Sequence, residues 1–257
     1  SNSDFSTGAF AAEYGNALSG VFDLRLRKGN NEKREYTLQL GVLGADFATE
    51  GPFKKGYNGS YLINYRYSTL NLLGKIGVPL GDAITNFQDV SYNVFLPANN
   101  WGNFTLFGFA GQSYQIVKAK KDSLQWLEDA YYQYDSKFYA NTGAFGASNT
   151  KLFNNQSYLK TVFMFSGTQN GFNADKLAGN YSDLKREQEE SYNQTKITLS
   201  STYTKKVNAK NNLRTGFIVN QLGYQLLQKS SIDTNIMLTN INNKGNTQSI
   251  QGFFQWN

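Results

Sequence analysis

The chain has 257 residues and a net charge of +6, with 17 Tyr, 19 Phe and 3 Pro but neither His nor Cys. The two absences exclude Ser-His-Asp and Cys-His nucleophile systems, disulfide staples, and thiolate or imidazole metal sites, which need a group titrating near neutrality or a soft ligand. Basic residues are scattered rather than gathered into a stripe, so nucleic acid is not an expected partner. No apolar run exceeds four residues, too short for a membrane-crossing helix.

The first segment, GAFAAEYGNALSG from Gly8 to Gly20, is rich in small residues. Strand periodicity then begins: Tyr36, Leu38, Leu40 and Val42 alternate with Thr37, Gln39 and Gly41. Tyr61, Ile63, Tyr65 and Tyr67 oppose Asn64, Arg66 and Ser68, and further on Ile197, Leu199 and Tyr203 oppose Lys196, Thr198, Ser200, Thr202 and Thr204. Stretches 104–112 and 158–166 carry apolar residues on both faces and read as strands from their length and aromatic content.

Short connectors at 51–59, 97–103, 154–157 and 207–212 alternate with expected long ones at 71–87, 114–135, 171–191 and 222–248. Strands of about ten residues with one apolar face, tight turns at one end and long loops at the other, are the pattern of an outer-membrane barrel. The expected fold is therefore all-β, an antiparallel transmembrane β-barrel of which about ten strands are present. Phe53, Tyr57, Trp101, Phe104, Phe153, Tyr158, Phe254 and Trp256 lie beside the short connectors or the chain's last strand, where rings would sit at the headgroup level. Pro52 and Pro97 fall in short turns and Pro79 in a long connector, so none costs a strand its ladder hydrogen bond.

In the connector 114–135, Leu124, Leu127, Tyr131 and Tyr134 have helical spacing after a capping Asp122, which predicts a short helix. Its Trp126, Tyr131, Tyr132 and Tyr134 form either a stacking platform for a sugar or aromatic chelator, or the packing of the loop against its neighbours. GAFGAS at 143–148 lacks the Lys of a phosphate loop and reads as strand. Glu128 and Asp129, and Glu187, Glu189 and Glu190, read as solvated charge in polar loops. No catalytic residue, metal site or cofactor is assigned, and the chain does not read as an enzyme.

The run Ala12, Glu13, Tyr14, Gly15, Asn16, then Ser19, Gly20, Val21 and Phe22, resembles the end of the plug domain of TonB-dependent outer-membrane receptors, especially the group with a carboxypeptidase-like regulatory domain ahead of the plug. EGPFKKGYNGSYLINYRYSTL is similar to that family's first periplasmic turn and third strand, and FQDVSYNVFLP to its fourth. The resemblance implies that residues 1–32 are the C-terminal end of the plug and 33–257 the N-terminal part of the barrel. Glu13, Tyr14, Gly15, Asn16, Ser19 and Gly20 would then pack plug against barrel, with Gly15 and Gly20 allowing close backbone approach to the inner wall.

The implied function is energised uptake of a scarce nutrient, such as a siderophore or oligosaccharide, across the outer membrane of a Gram-negative bacterium. Partners would be outer-membrane lipid, the nutrient, and a periplasmic energy coupler of the TonB type acting through a preceding part of the plug. The chain has no TonB box and no full plug, and about ten strands where plugged receptors have about 22, so it reads as a piece with two open sheet edges. The other readings are a small passive barrel or adhesin, and a soluble carbohydrate-binding β-sandwich that buries Tyr61, Ile63 and Tyr65.

Overall fold

The computed structural model describes all residues except 1, 9, 16, 71–73, 75, 77–83, 123, 179–182 and 234–235. Two short strands, β1 (Asn2–Ser6) and β2 (Val21–Arg25), pair antiparallel as a small sheet of their own. Ten strands follow: β3 (Glu35–Leu40), β4 (Gly44–Pro52), β5 (Ser60–Ser68), β6 (Ile84–Pro97) and β7 (Asn103–Val117), then β8 (Tyr134–Asn154), β9 (Ser157–Leu177), β10 (Leu184–Lys206), β11 (Asn212–Asp233) and β12 (Ile236–Trp256). They form one antiparallel sheet in strict chain order from β3 to β12.

The sheet is all neighbour-to-neighbour pairing because every connection is a hairpin, and hairpins join adjacent antiparallel strands. The short connectors lie where the sequence puts them. That between β6 and β7 closes with the Ala98 amide donating to the Gly102 carbonyl at 2.9 Å, and Gly102 takes φ +89°, the left-handed region open to glycine.

Three expectations need correction. The strands are not uniformly about ten residues long but grow from 6 residues in β3 to 23 in β10. The segments 171–191 and 222–248, expected as long connectors, are mostly strand: β9 ends at Leu177 and β10 begins at Leu184, and β11 ends at Asp233 and β12 begins at Ile236. These segments are polar, but a partner strand supplies backbone hydrogen bonds whatever the side chains are. The connectors 71–87 and 114–135 shrink to 69–83 and 118–133, and Pro79 lies outside the described residues. The sheet is open, with β3 and β12 at its two edges, not paired with each other, in keeping with the two open edges expected.

Opposed residues in a ladder share a face, so the register defines two surfaces. On one, Phe47, Tyr65, Val90, Ala110, Gly143 and Gly167 follow one another across β4–β9. One step towards the short connectors comes Ile63, Tyr92, Gly108, Phe145, Phe165 and Ile197, and then Tyr61, Val94, Leu106, Ala147, Phe163, Leu199, Val219 and Ile250. Tyr36, Leu38 and Leu40 continue this face onto β3.

These side chains are open to solvent: Leu38 is 69% and Ile250 76% exposed. Towards the long connectors the apolar band stops at a row of amides, Gln88, Gln112, Asn141, Gln169, Asn193 and Gln225, in which Gln88 donates to Gln112 at 3.1 Å and Asn141 to Gln169 at 2.9 Å. Towards the short connectors it ends in rings, with Phe53 against Tyr61 and Phe153 against Tyr203.

The opposite surface carries Gln39, Asp46, Asn64, Arg66, Asp89, Thr142, Thr168, Lys196 and Thr198. Among the described residues, the buried hydrophobic side chains are only Ala144, Ala174 and Leu177. A chain of this size with so small a core has turned its apolar side chains outward. We expect Gly102→Ala to destabilise the β6–β7 turn by about 1–3 kcal/mol, since its φ disfavours any Cβ and that Cβ would also press on the Thr150 carbonyl. The midpoint of denaturant unfolding in detergent measures this.

Candidate functional site

Residues 12–30 form a strap across the polar surface at the short-connector end. At one end of the strap, a 3-10 turn (Ala12–Tyr14) sets Glu13 against Arg214 of β11 at 2.6 Å, and the Ala12 amide donates to Gln255 of β12 at 3.3 Å. At the other, the Arg27 guanidinium donates twice to the Glu50 carboxylate, at 2.7 and 2.6 Å, and the Asn30 amide adds a third bond to it at 2.7 Å. Between them, Asn93 of β6 donates to the Leu26 carbonyl at 3.0 Å, and the Lys28 ammonium sits 3.4 Å from the centre of the Phe95 ring. We refer to this surface as the strap face and to the apolar one as the bare face.

The bond to Glu50 holds the Arg27 guanidinium above its ordinary pKa, and burial first, then the charge of Glu13, raises Tyr14. Arg27 is more than half exposed, so its pair with Glu50 alone is a modest anchor. The added Asn30 bond and the steric fit of Gly29 make this the tighter end: a Cβ at Gly29 would overlap the Tyr61 carbonyl.

Of the residues expected to pack this segment against the sheet, Glu13 does so directly and Tyr14 is half-buried beside it. Gly15 has only the Ala12 carbonyl near its missing Cβ, and Gly20 faces the Phe5 ring of β1, so the close approach expected there occurs at Gly29 instead. Ser19 is exposed, and Asn16 lies outside the described residues. Arg27, Gly29, Asn30, Glu50, Asn93 and Arg214 were not anticipated. Their partners lie far away in the chain, and no local motif marks them.

At the opposite end, the connector 118–133 forms two 3-10 turns, Gln125–Leu127 and Ala130–Gln133, in place of the expected helix. Asp122 still caps, accepting from the Leu124 amide at 3.0 Å, and Asp129 accepts from the Tyr131 amide at 2.9 Å. The four candidate rings do not form one platform. Trp126 donates its indole N–H to the Lys120 carbonyl at 2.7 Å, Tyr132 lies under the Lys120 ammonium at 4.2 Å, and Tyr134 donates to Glu187 at 3.0 Å. Tyr131 alone stands out, 73% exposed, with Leu124 and Leu127 also open to solvent.

Tyr131 and Tyr134 line a cavity of about 380 Å³ with Ser136, Phe172, Glu187 and Gln188, where rings, a hydroxyl, an amide and a carboxylate converge. That mixture suits a small polar ligand with a flat face. The acidic residues near it are engaged: Glu187 also lies 3.6 Å from Lys176, Glu189 pairs with Lys229 at 3.2 Å, and Glu190 accepts from Gln228 at 3.1 Å.

Comparison with known protein families, with curated proteins and with solved structures finds no match to this chain.

Two outcomes follow from this geometry. Glu50→Ala should loosen the strap by about 1–2 kcal/mol, read as roughly tenfold faster hydrogen exchange at the Asn30 amide with exchange in β8–β10 unchanged. Tyr131→Ala should leave the 118–133 connector as resistant to protease as before, whereas Trp126→Ala, which removes an interior hydrogen bond of the loop, should make it readily cleaved.

Proposed function

We propose that this chain is part of the wall of a TonB-dependent outer-membrane receptor, with residues 1–32 ending its plug and 33–257 beginning its barrel. The observation that carries the reading is the bare face, an exposed apolar surface continuous over ten strands and bounded by amides on one side and aromatic rings on the other. Lipid is the solvent in which such a face costs nothing, and amides and rings suit its two borders. The strap face, which is mainly polar and carries Phe95, Phe107, Phe109 and Met164 among its polar groups, then lines the interior, and the two open edges of the sheet call for further strands of the same barrel.

In this reading the strap is the last part of the plug, bound to the wall by Glu13–Arg214 and Arg27–Glu50. An energy coupler of the TonB type, pulling on the plug from the periplasm, would load these ion pairs. The long connectors would face outward and meet the nutrient, a siderophore, oligosaccharide or similar compound, with the Tyr131 and Tyr134 cavity as the contact built into this part of the wall.

The direct test is charge on each face. Leu199→Arg, near the middle of the apolar band, should cost roughly 2–4 kcal/mol of folding free energy in lipid vesicles, and Gln194→Arg on the strap face should cost less than 1 kcal/mol. Denaturant titration of the full receptor in vesicles measures both. Equal costs, or a chain that stays monomeric in water without detergent, would return the bare face to the interface of a soluble sandwich.

A further inference from the structure

We propose that the short-connector end carries a basic collar that gathers anionic lipid headgroups around the wall, an inference that rests on the bare face lying against lipid. The sheet is electrically lopsided. Residues 51–60, 95–106, 148–162, 200–216 and 250–257 make up this end from the close of β4 onward, and they contain no Asp or Glu. They hold Lys54, Lys55, Lys151, Lys160, Lys205, Lys206 and Lys210, all exposed, and none has an ion pair or hydrogen bond from its ammonium among the described residues. The remaining acids at this end, Asp4, Glu13, Asp23, Glu32, Glu35 and Glu50, belong to β1 or the strap or lie beside it, and Arg25, Arg214, Lys33 and Arg27 pair with all of them but Glu32.

At the long-connector end acids and bases are interleaved, and many pair: Lys118 with Asp135, Lys176 with Glu187, Arg186 with Asp175 and Lys229 with Glu189. Among the described residues, the short-connector end thus carries seven lysines without an ion pair against one such acid, Glu32. At the other end acids without an ion pair, among them Asp122, Glu128 and Asp129 on the connector that also holds Lys121, carry the opposite sign.

Position names the occupant. By ladder register Lys151 and Lys205 fall on the bare face, beside Leu159, Tyr203, Leu213 and Trp256, and Lys54 and Lys55 follow directly on Phe53. Exposed rings with ammonium groups next to them match the two layers of a bilayer border, acyl chain and phosphate. Lysines at such a surface attract anionic lipid by roughly fivefold each.

The test places the whole chain in vesicles of neutral phosphatidylcholine with a minority of anionic phosphatidylglycerol. Trp126→Phe leaves Trp101 and Trp256, both at this end, as the fluorescent reporters, and bromine on the acyl chains of one lipid or the other quenches them on contact. Quenching by the brominated anionic lipid should exceed its share of the bilayer on the order of fivefold. The excess should vanish in about 1 M salt, where the screening length is roughly 3 Å, and in the variant K54Q/K55Q/K151Q/K205Q/K210Q.

Quenching in proportion to composition in the unmodified collar overturns the proposal while leaving the bare face in lipid. No quenching by either lipid withdraws the bare face from lipid, and the collar with it. Proportional quenching together with lysine-dependent retention of soluble polyglutamate assigns the collar to an acidic protein and overturns the lipid assignment.

Discussion

The antiparallel ladder from β3 to β12 is the constraint on which everything else depends. Side chains alternate along each strand, so a slip of one residue in any pairing would exchange the two faces from that strand onward. Across the apolar band the register never slips. The irregularities lie beyond it, at Leu152/Asn154 near the short connectors and at Arg186/Gln188, Gln228/Lys229 and Ser231/Asp233 near the long ones. Bulges placed there bend the strand ends without mixing the faces.

A sheet with faithful alternation and almost no enclosed core gains its stability differently from a globular domain. Its backbone groups are satisfied strand to strand, and polar side chains on the strap face satisfy one another in the same direction. Thr198 donates to Asn220, which donates to Ser249, and Arg66 reaches Asp89 at 2.7 Å. The strap adds a second tie between strands that are not neighbours in the ladder. It joins β11 and β12 to β4 and β6 through side-chain bonds, strong at Glu50 and lighter at Arg214, so force on the chain ahead of it would reach the Glu13 end first.

Chemistry is also graded along the strands. At the short connectors are rings and unpaired lysines, in the middle an exposed apolar band, and at the long connectors amides, paired charges and the cavity beside Tyr131. Such an order would suit the proposed wall, with ligand met at the long-connector end and the depth in the bilayer set at the other.

The sequence by itself determined the all-β class, the two-faced strands and the positions of the short connectors. Each of these is local: alternation over five to nine residues, or a turn made by its own Gly, Asn and Pro. Tyr36, Ile63, Leu199 and their neighbours were therefore readable as one face. The tertiary structure alone decided how far β9 to β12 extend, because the polar stretches 171–177, 184–191, 222–233 and 236–248 are held straight by partners that the sequence does not place beside them. It also decided which small residue approaches the sheet, Gly29 rather than Gly15 or Gly20, and which ring of the outer connector is open, Tyr131 rather than Trp126. Contacts such as Glu13–Arg214 join opposite ends of the chain, and register between distant strands, not any local pattern, brings them together.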